Sequence, residues 1–242
     1  MVLPLPAHQG FQVARTTLPL PHSMGLSATA GAAAARRCGP QEPVGRPAPG
    51  AEAEVCERRS RGNAHIMDRT DSLIEQFRTL PAESDEKREL IAAMGDMLAD
   101  RPDHPAAVPF LASVTADSEE YDLARVEATM VLRLRPPTEA DFRLRAGQAL
   151  LTVLRGPDEN LVRQYAAMAL GPYADDPEVH EVLAAAVMDD FDRLVRDNAL
   201  AALDEAGPSD KRIELLHRLS ADAALGHEAV RILSSWGLEP AA

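Results

Sequence analysis

Three ten-residue stretches of this chain carry one pattern: LARVEATMVL at 123–132, LVRQYAAMAL at 161–170 and LVRDNALAAL at 194–203. Each has Arg in third place (Arg125, Arg163, Arg196), Ala three residues later, a small apolar residue at +6 and Leu at +7. A helix turns once in 3.6 residues, so these places share one face, and Ala at +3 lets a neighbouring helix come close. A fourth copy, LGHEAVRIL at 225–233, keeps the Ala and the Leu but has Gly226 where the others have Arg. The Arg-equivalent places, 125, 163, 196 and 226, are spaced 38, 33 and 30 residues apart, the size of unit used by helical repeat arrays.

Working outward, further apolar-periodic segments fall between the copies, at 105–115, 139–154, 177–188 and 209–219. Two more lie upstream, at 69–80 and 83–99. Breakers separate them at Pro136-Pro137, Gly156-Pro157, Gly171-Pro172 and Gly207-Pro208. The count is ten helices, or about five antiparallel pairs. Each pair has an apolar face that only stacking buries, so the expected fold is all-α and solenoidal.

The run LVRQYAAMALGPYADDPEVHEVLAAAVMDD at 161–190 resembles HEAT-like repeats of the phycocyanobilin-lyase type. It has Val-Arg near a helix start, an Ala-Leu-Gly end, an Asp-Pro turn and a second helix. The resemblance extends over 105–207 and is weaker over 208–237; over 68–100 it rests on amphipathicity alone. It implies a right-handed α-solenoid of about five HEAT-like pairs across roughly 68–237. In such families the Arg equivalent to Arg125, Arg163 and Arg196 is structural, pairing with an acidic residue or with helix-end carbonyls of the next repeat. The second helix of each pair lines the concave face. Carried over, that makes Arg143, Arg145, Gln148, His180, Glu181, Lys211, Glu214 and Arg218 the candidate partner contacts.

Composition divides the chain. Residues 1–66 hold eight of its 19 prolines and seven of its 14 glycines, with no apolar periodicity. Such a segment buries too little surface to offset its ordering entropy, so a disordered tail is expected there, with the repeat domain at 67–242. The alternative is an over-extended gene start with the true start at Met67. The first 66 residues carry seven Arg against four Glu, a balance of +3; the remainder carries 18 basic and 34 acidic side chains, a balance of −16. A body that acidic, without a basic face, argues against nucleic acid and anionic lipid as ligands.

Both cysteines, Cys38 and Cys56, lie in the tail, which excludes a disulfide framework or a thiol site in the body. No run approaches a membrane span, and the start has no basic region ahead of a broken apolar stretch, so a cytoplasmic protein is expected. The Ala- and Arg-rich composition points to a bacterial source with a high-GC genome.

His180-Glu181 and His227-Glu228 are similar to the pairs with which HEAT-like deoxyhypusine hydroxylases hold two irons. Only one of the four copies supplies such a pair, however, and no His-Glu-x-x-His motif is present. These residues are therefore read as ordinary surface positions. The acidic runs at Ser118-Glu119-Glu120, Asp158-Glu159 and Asp189-Asp190-Phe191-Asp192 lack calcium-loop spacing and read as helix N-caps. HEAT-like DNA glycosylases use a basic face beside aromatics, and this chain has a lone Trp236 in an acidic body. The expectation is a non-catalytic, monomeric protein–protein scaffold that needs no cofactor. The alternative is a HEAT-like lyase or hydroxylase acting on a chromophore or on another protein.

Overall fold

A computed structural model describes residues 69–239. The expectations for the tail, for a start at Met67 and for Cys38 and Cys56 fall outside the described residues. Within them the chain forms ten α-helices and one short 3-10 turn, with no β-strand. Helix α1 is described over residues 69–79. It is followed by α2 (Glu86–Asp100), α3 (Ala107–Ala116), α4 (Asp122–Leu134), α5 (Ala140–Arg155) and α6 (Asn160–Ala169). The 3-10 turn at Gly171–Tyr173 leads into α7 (Pro177–Asp189), α8 (Arg193–Glu205), α9 (Asp210–Leu219) and α10 (Gly226–Ser235).

The helices stack in two layers. In one, α2 packs on α4, α4 on α6 and α6 on α8; in the other, α3 packs on α5 and, more loosely, α5 on α7. Each odd helix also packs on the even helix after it, from α3 on α4 to α9 on α10. This is a two-layer α-solenoid, and the repeated decamers of α4, α6 and α8 are its successive rungs. Ala128, Ala166 and Ala199, the +3 residues, are fully buried, as are the +7 residues Leu132 and Leu170. The core is accordingly built of Ala, Leu, Val and Met, with Phe77 and Tyr173 the buried aromatics.

Several boundaries differ from the sequence expectation. Helix α2 starts at Glu86 rather than 83, after a turn in which the Lys87 N–H bonds the Ser84 carbonyl at 3.1 Å. Helix α3 starts at Ala107 rather than 105, because buried His104 supplies its cap. The His104 Nδ1 accepts the N–H groups of Ala106 and Ala107, both at 3.3 Å. With Nδ1 accepting, the ring proton sits on Nε2, 3.2 Å from the Thr70 hydroxyl of α1.

The breakers act as expected at two places. Gly207 adopts φ 77°, a left-handed conformation open to glycine, and ends α8 ahead of Pro208. Gly171 lies so near α8 that an added Cβ would stand 2.8 Å from a Glu205 carboxylate oxygen and 3.5 Å from the Ala202 Cα. That approach lets the 3-10 turn wedge in, and the Tyr173 hydroxyl then donates to the Leu132 carbonyl at the end of α4, at 2.9 Å. Burial pushes the Tyr173 phenol well above its ordinary range. Among the described residues no helix is long and apolar enough to cross a membrane.

Candidate interaction face and the arginine ladder

The repeat arginines each do the same thing. The Arg125 Nε donates to the Thr115 carbonyl at the end of α3 (3.3 Å), and its Nη1 meets Asp158 at 2.7 Å. Arg163 reaches the Leu154 carbonyl at the end of α5 (3.4 Å) and pairs with Asp190. Arg196 donates to the Val187 carbonyl at the end of α7 (2.7 Å) and pairs with Asp222 at 3.0 Å. Each guanidinium thus ties the end of the preceding helix to the connection one repeat ahead. The carbonyl belongs to the preceding helix and the carboxylate to the following repeat, an arrangement that uses the planar fork of Arg.

A fourth rung escaped the sequence pattern. Lys87 of α2 is buried and meets Glu120 at 2.6 Å, with its ammonium 4.8 Å from the centre of the Phe77 ring. No copy of the decamer marks α2, and the next residue, Arg88, is exposed. The fourth copy has no rung for a steric reason. A Cβ on Gly226 would stand 2.6 Å from the Ser220 carbonyl oxygen, leaving no room for any side chain.

The acidic runs divide between two roles. Asp192 is an N-cap, accepting the Leu194 and Val195 N–H groups at 2.8 and 3.1 Å. Asp158 and Asp190, by contrast, are turned to the arginines and do not cap their helices. Asp222, which was not singled out, accepts the Leu225 and Ala224 N–H groups, both at 2.8 Å, besides Arg196. These bonds hold its carboxyl below the usual range, the backbone N–H of Leu225 contributing most. Asp176 and Ser209 cap α7 and α9.

The eight candidate contact residues all fall on α5, α7 and α9, and the structure divides them between two openings. Arg143 and Gln148 line a cleft of about 180 Å³ between α5 and the start of α7. Its floor is Gly147, Leu151, Tyr173 and Val179, and Leu144 stands 56% exposed at its mouth. His180, Glu181, Lys211, Glu214 and Arg218 line a second groove, between α7 and α9, floored by Ala184 and Leu215. Arg145 is exposed and lines neither.

Their availability differs. Arg143 is half-buried: it donates to the Pro172 carbonyl and to that of Pro137 (3.3 Å), with its guanidinium 5.1 Å from the Tyr173 ring centre. Gln148 donates to Glu178 at 2.8 Å, and Arg155 pairs with the same carboxylate at 2.7 Å. The Arg155 and Gln148 contacts, in that order, hold the Glu178 carboxyl below its usual range. Lys211 and Glu181 stand 3.9 Å apart and largely exposed. Glu214 and Arg218 are exposed and unpaired among the described residues.

His180 is a correction. Expected at the surface, it is 8% exposed, and desolvation, then the nearby Arg212 and Lys211 charges, push its pKa down. The adjacent Arg212, which the pattern did not single out, is buried and anchors α9 by donating to the carbonyls of Ala174 (3.1 Å) and Ala206 (3.4 Å) and pairing with Asp175 at 3.1 Å. His227, on α10, is exposed. Among the described residues no group of three or more His, Cys, Asp or Glu side chains is placed to hold a metal ion.

Residues 147–238 match the family model described as HEAT repeats. Neither the curated proteins nor the solved structures hold a match to the chain.

Proposed function

The chain carries HEAT repeats over residues 147–238, and from that premise we propose that it is a non-catalytic protein–protein interaction scaffold. The observation that supports this reading most is the contrast between layers. Even helices close on one another through alanines, whereas α5, α7 and α9 leave two openings edged by polar side chains. The cleft beside Tyr173 suits an apolar side chain of a partner, with Asp175 and Asp176 at its mouth. The α7–α9 groove offers Glu181, Lys211, Glu214 and Arg218, both signs of charge within one patch. Such mixed charge favours orientation and selectivity over raw affinity.

On this reading the contacts are Arg145, Gln148, Glu181, Lys211, Glu214 and Arg218. Arg143 and His180 shape the face from behind. The role is that of a monomeric adaptor or accessory subunit in a bacterial cytoplasm, the source supported by the Ala- and Arg-rich composition.

The test is a native pull-down with the whole chain and with a variant carrying Leu144→Arg and Lys211→Glu. A stoichiometric protein that accompanies the natural sequence and is lost from the variant is expected. Absence of any such protein, or its equal recovery on the variant, overturns the reading.

A further inference from the structure

A different surface holds the most exposed aromatic residue among the described residues. Phe191, Leu194 and Leu161 are 81%, 55% and 45% exposed. They lie at one edge of the solenoid, where the α5–α6 and α7–α8 connections enter α6 and α8. An apolar cluster left in water in this way marks a contact surface more often than an accident.

Phe191 is also held in place. On one side of it, the Asp190 carboxylate takes the Arg163 guanidinium and accepts the Asp192 N–H at 2.9 Å. On the other, the Asp192 carboxylate caps α8 and accepts the Gln164 amide at 3.3 Å. The Arg163 guanidinium lies 5.1 Å from the Phe191 ring centre. A presented aromatic with both neighbours fixed loses little freedom on binding, which is what a hot-spot residue needs.

Two further features describe the occupant. Leu161 and Leu194 hold the same place in consecutive repeats, and α6 packs on α8, so they are offset by about one interhelix distance, roughly 8–10 Å. Three residues of an extended, polyproline-like chain rise about 9 Å and return to the same side. The charge around them is negative: Glu159 and Asp189 are exposed and unpaired among the described residues, while Arg193 is answered by Asp197 at 3.6 Å.

We propose that this edge binds an extended segment of a partner protein with an apolar side chain at every third position and Lys or Arg between. It takes from the scaffold reading only that the occupant is a protein, and it uses none of the α5, α7 or α9 contacts.

The probe is a fluorescein-labelled peptide of Leu-Lys-Pro triplets, titrated with the whole chain and followed by polarisation. Saturable binding is expected, weakened by salt and by roughly tenfold or more in Phe191→Ser and in Leu161→Ser with Leu194→Ser. Peptides of Ser-Lys-Pro or Leu-Glu-Pro triplets are expected to bind about tenfold more weakly or worse. Since all three protein side chains are exposed, the variants keep the native melting transition, and the Leu144→Arg, Lys211→Glu variant keeps the peptide. Failure of the pull-down on the α5–α9 face with retained peptide binding would therefore remove that face and leave this one standing.

The proposal is overturned by no saturable binding, by equal binding of the Leu-Glu-Pro peptide, by indifference to Phe191→Ser, or by a dimer in sedimentation that Phe191→Ser dissolves, which would give the edge to a second copy. Peptide binding seen only when the chain is started at Met67 would assign the edge to residues 1–66 and would overturn it as well.

Discussion

The ladder of the even layer and the exposed pair across the α7–α9 groove use ionic groups in opposite ways. In the even layer, Arg163 and Asp190 pair with side chains 9% and 8% exposed, one rung of a ladder repeated at Arg125–Asp158 and Arg196–Asp222. In the odd layer, Lys211 and Glu181 stand 3.9 Å apart with side chains 65% and 73% exposed. The first arrangement costs desolvation and is retained only because each guanidinium also satisfies a helix-end carbonyl. The second costs almost nothing and fixes almost nothing. A layer whose pairs tie repeat to repeat and a layer whose pairs stay open to solvent are thereby built from the same residue types.

The sharpest way to break that contrast is to remove half of a rung. Arg163→Met leaves the Asp190 carboxylate buried and unpaired, which should cost about 3–5 kcal/mol of stability in chemical denaturation. Replacing both partners, Arg163→Met with Asp190→Leu, should recover a good part of that loss. A single variant that costs under about 1 kcal/mol would show that the rung is ornamental.

Close packing gives the next largest effect. Gly226→Ala drives a Cβ against the Ser220 carbonyl oxygen and should destabilise by about 1–3 kcal/mol. In the other copies the same position has room for the long side chain of Arg. The comparison therefore asks whether the fourth repeat lost its rung through this contact. A neutral Gly226→Ala would remove the steric account.

How much of this was legible in the sequence follows from the same physics. The decamer could be read because alanine and leucine positions repeat at the period of a helix and the Arg marks their phase. The carboxylates that answer the arginines could not, because Asp158, Asp190 and Asp222 sit in connections of unequal length, so their distance from the Arg changes from rung to rung. Lys87 was hidden because α2 carries no copy of the decamer to mark its inward face. His180 is not legible because polarity does not fix exposure, and its neighbour Arg212 shows that a charged first turn can face inward when carbonyls await it. Phe191 stands in a loop run of acids, where no periodicity tells an exposed ring from a buried one.

Histidine offers a pH-dependent measure of the same interior. Desolvation, then the Arg101 charge, lowers the His104 pKa, and desolvation likewise lowers that of His180. In the unfolded chain both titrate near the ordinary value of about 6.5. Between the lowered folded values and that point the unfolded chain binds more protons, so stability is complete above about pH 6.5 and declines as pH falls below it. His104→Asn keeps a short acceptor near the α3 N-terminus but no longer titrates there. It should flatten that decline at a static cost of about 1 kcal/mol. An unchanged pH profile would mean that His104 does not contribute to it.

The smallest effect is the one that best defines the odd layer. Lys211→Ala removes one member of a pair that water already screens, so its effect on stability should lie within about 0.5 kcal/mol. The neighbouring Arg212 is 5% exposed and holds two carbonyls, so Arg212→Ala should cost several times as much, although the two residues are adjacent on α9. If Lys211→Ala proved as costly as Arg212→Ala, the groove between α7 and α9 would be part of the fold's own support. A near-zero value leaves Lys211 with no structural duty, and its effect should then appear in binding alone.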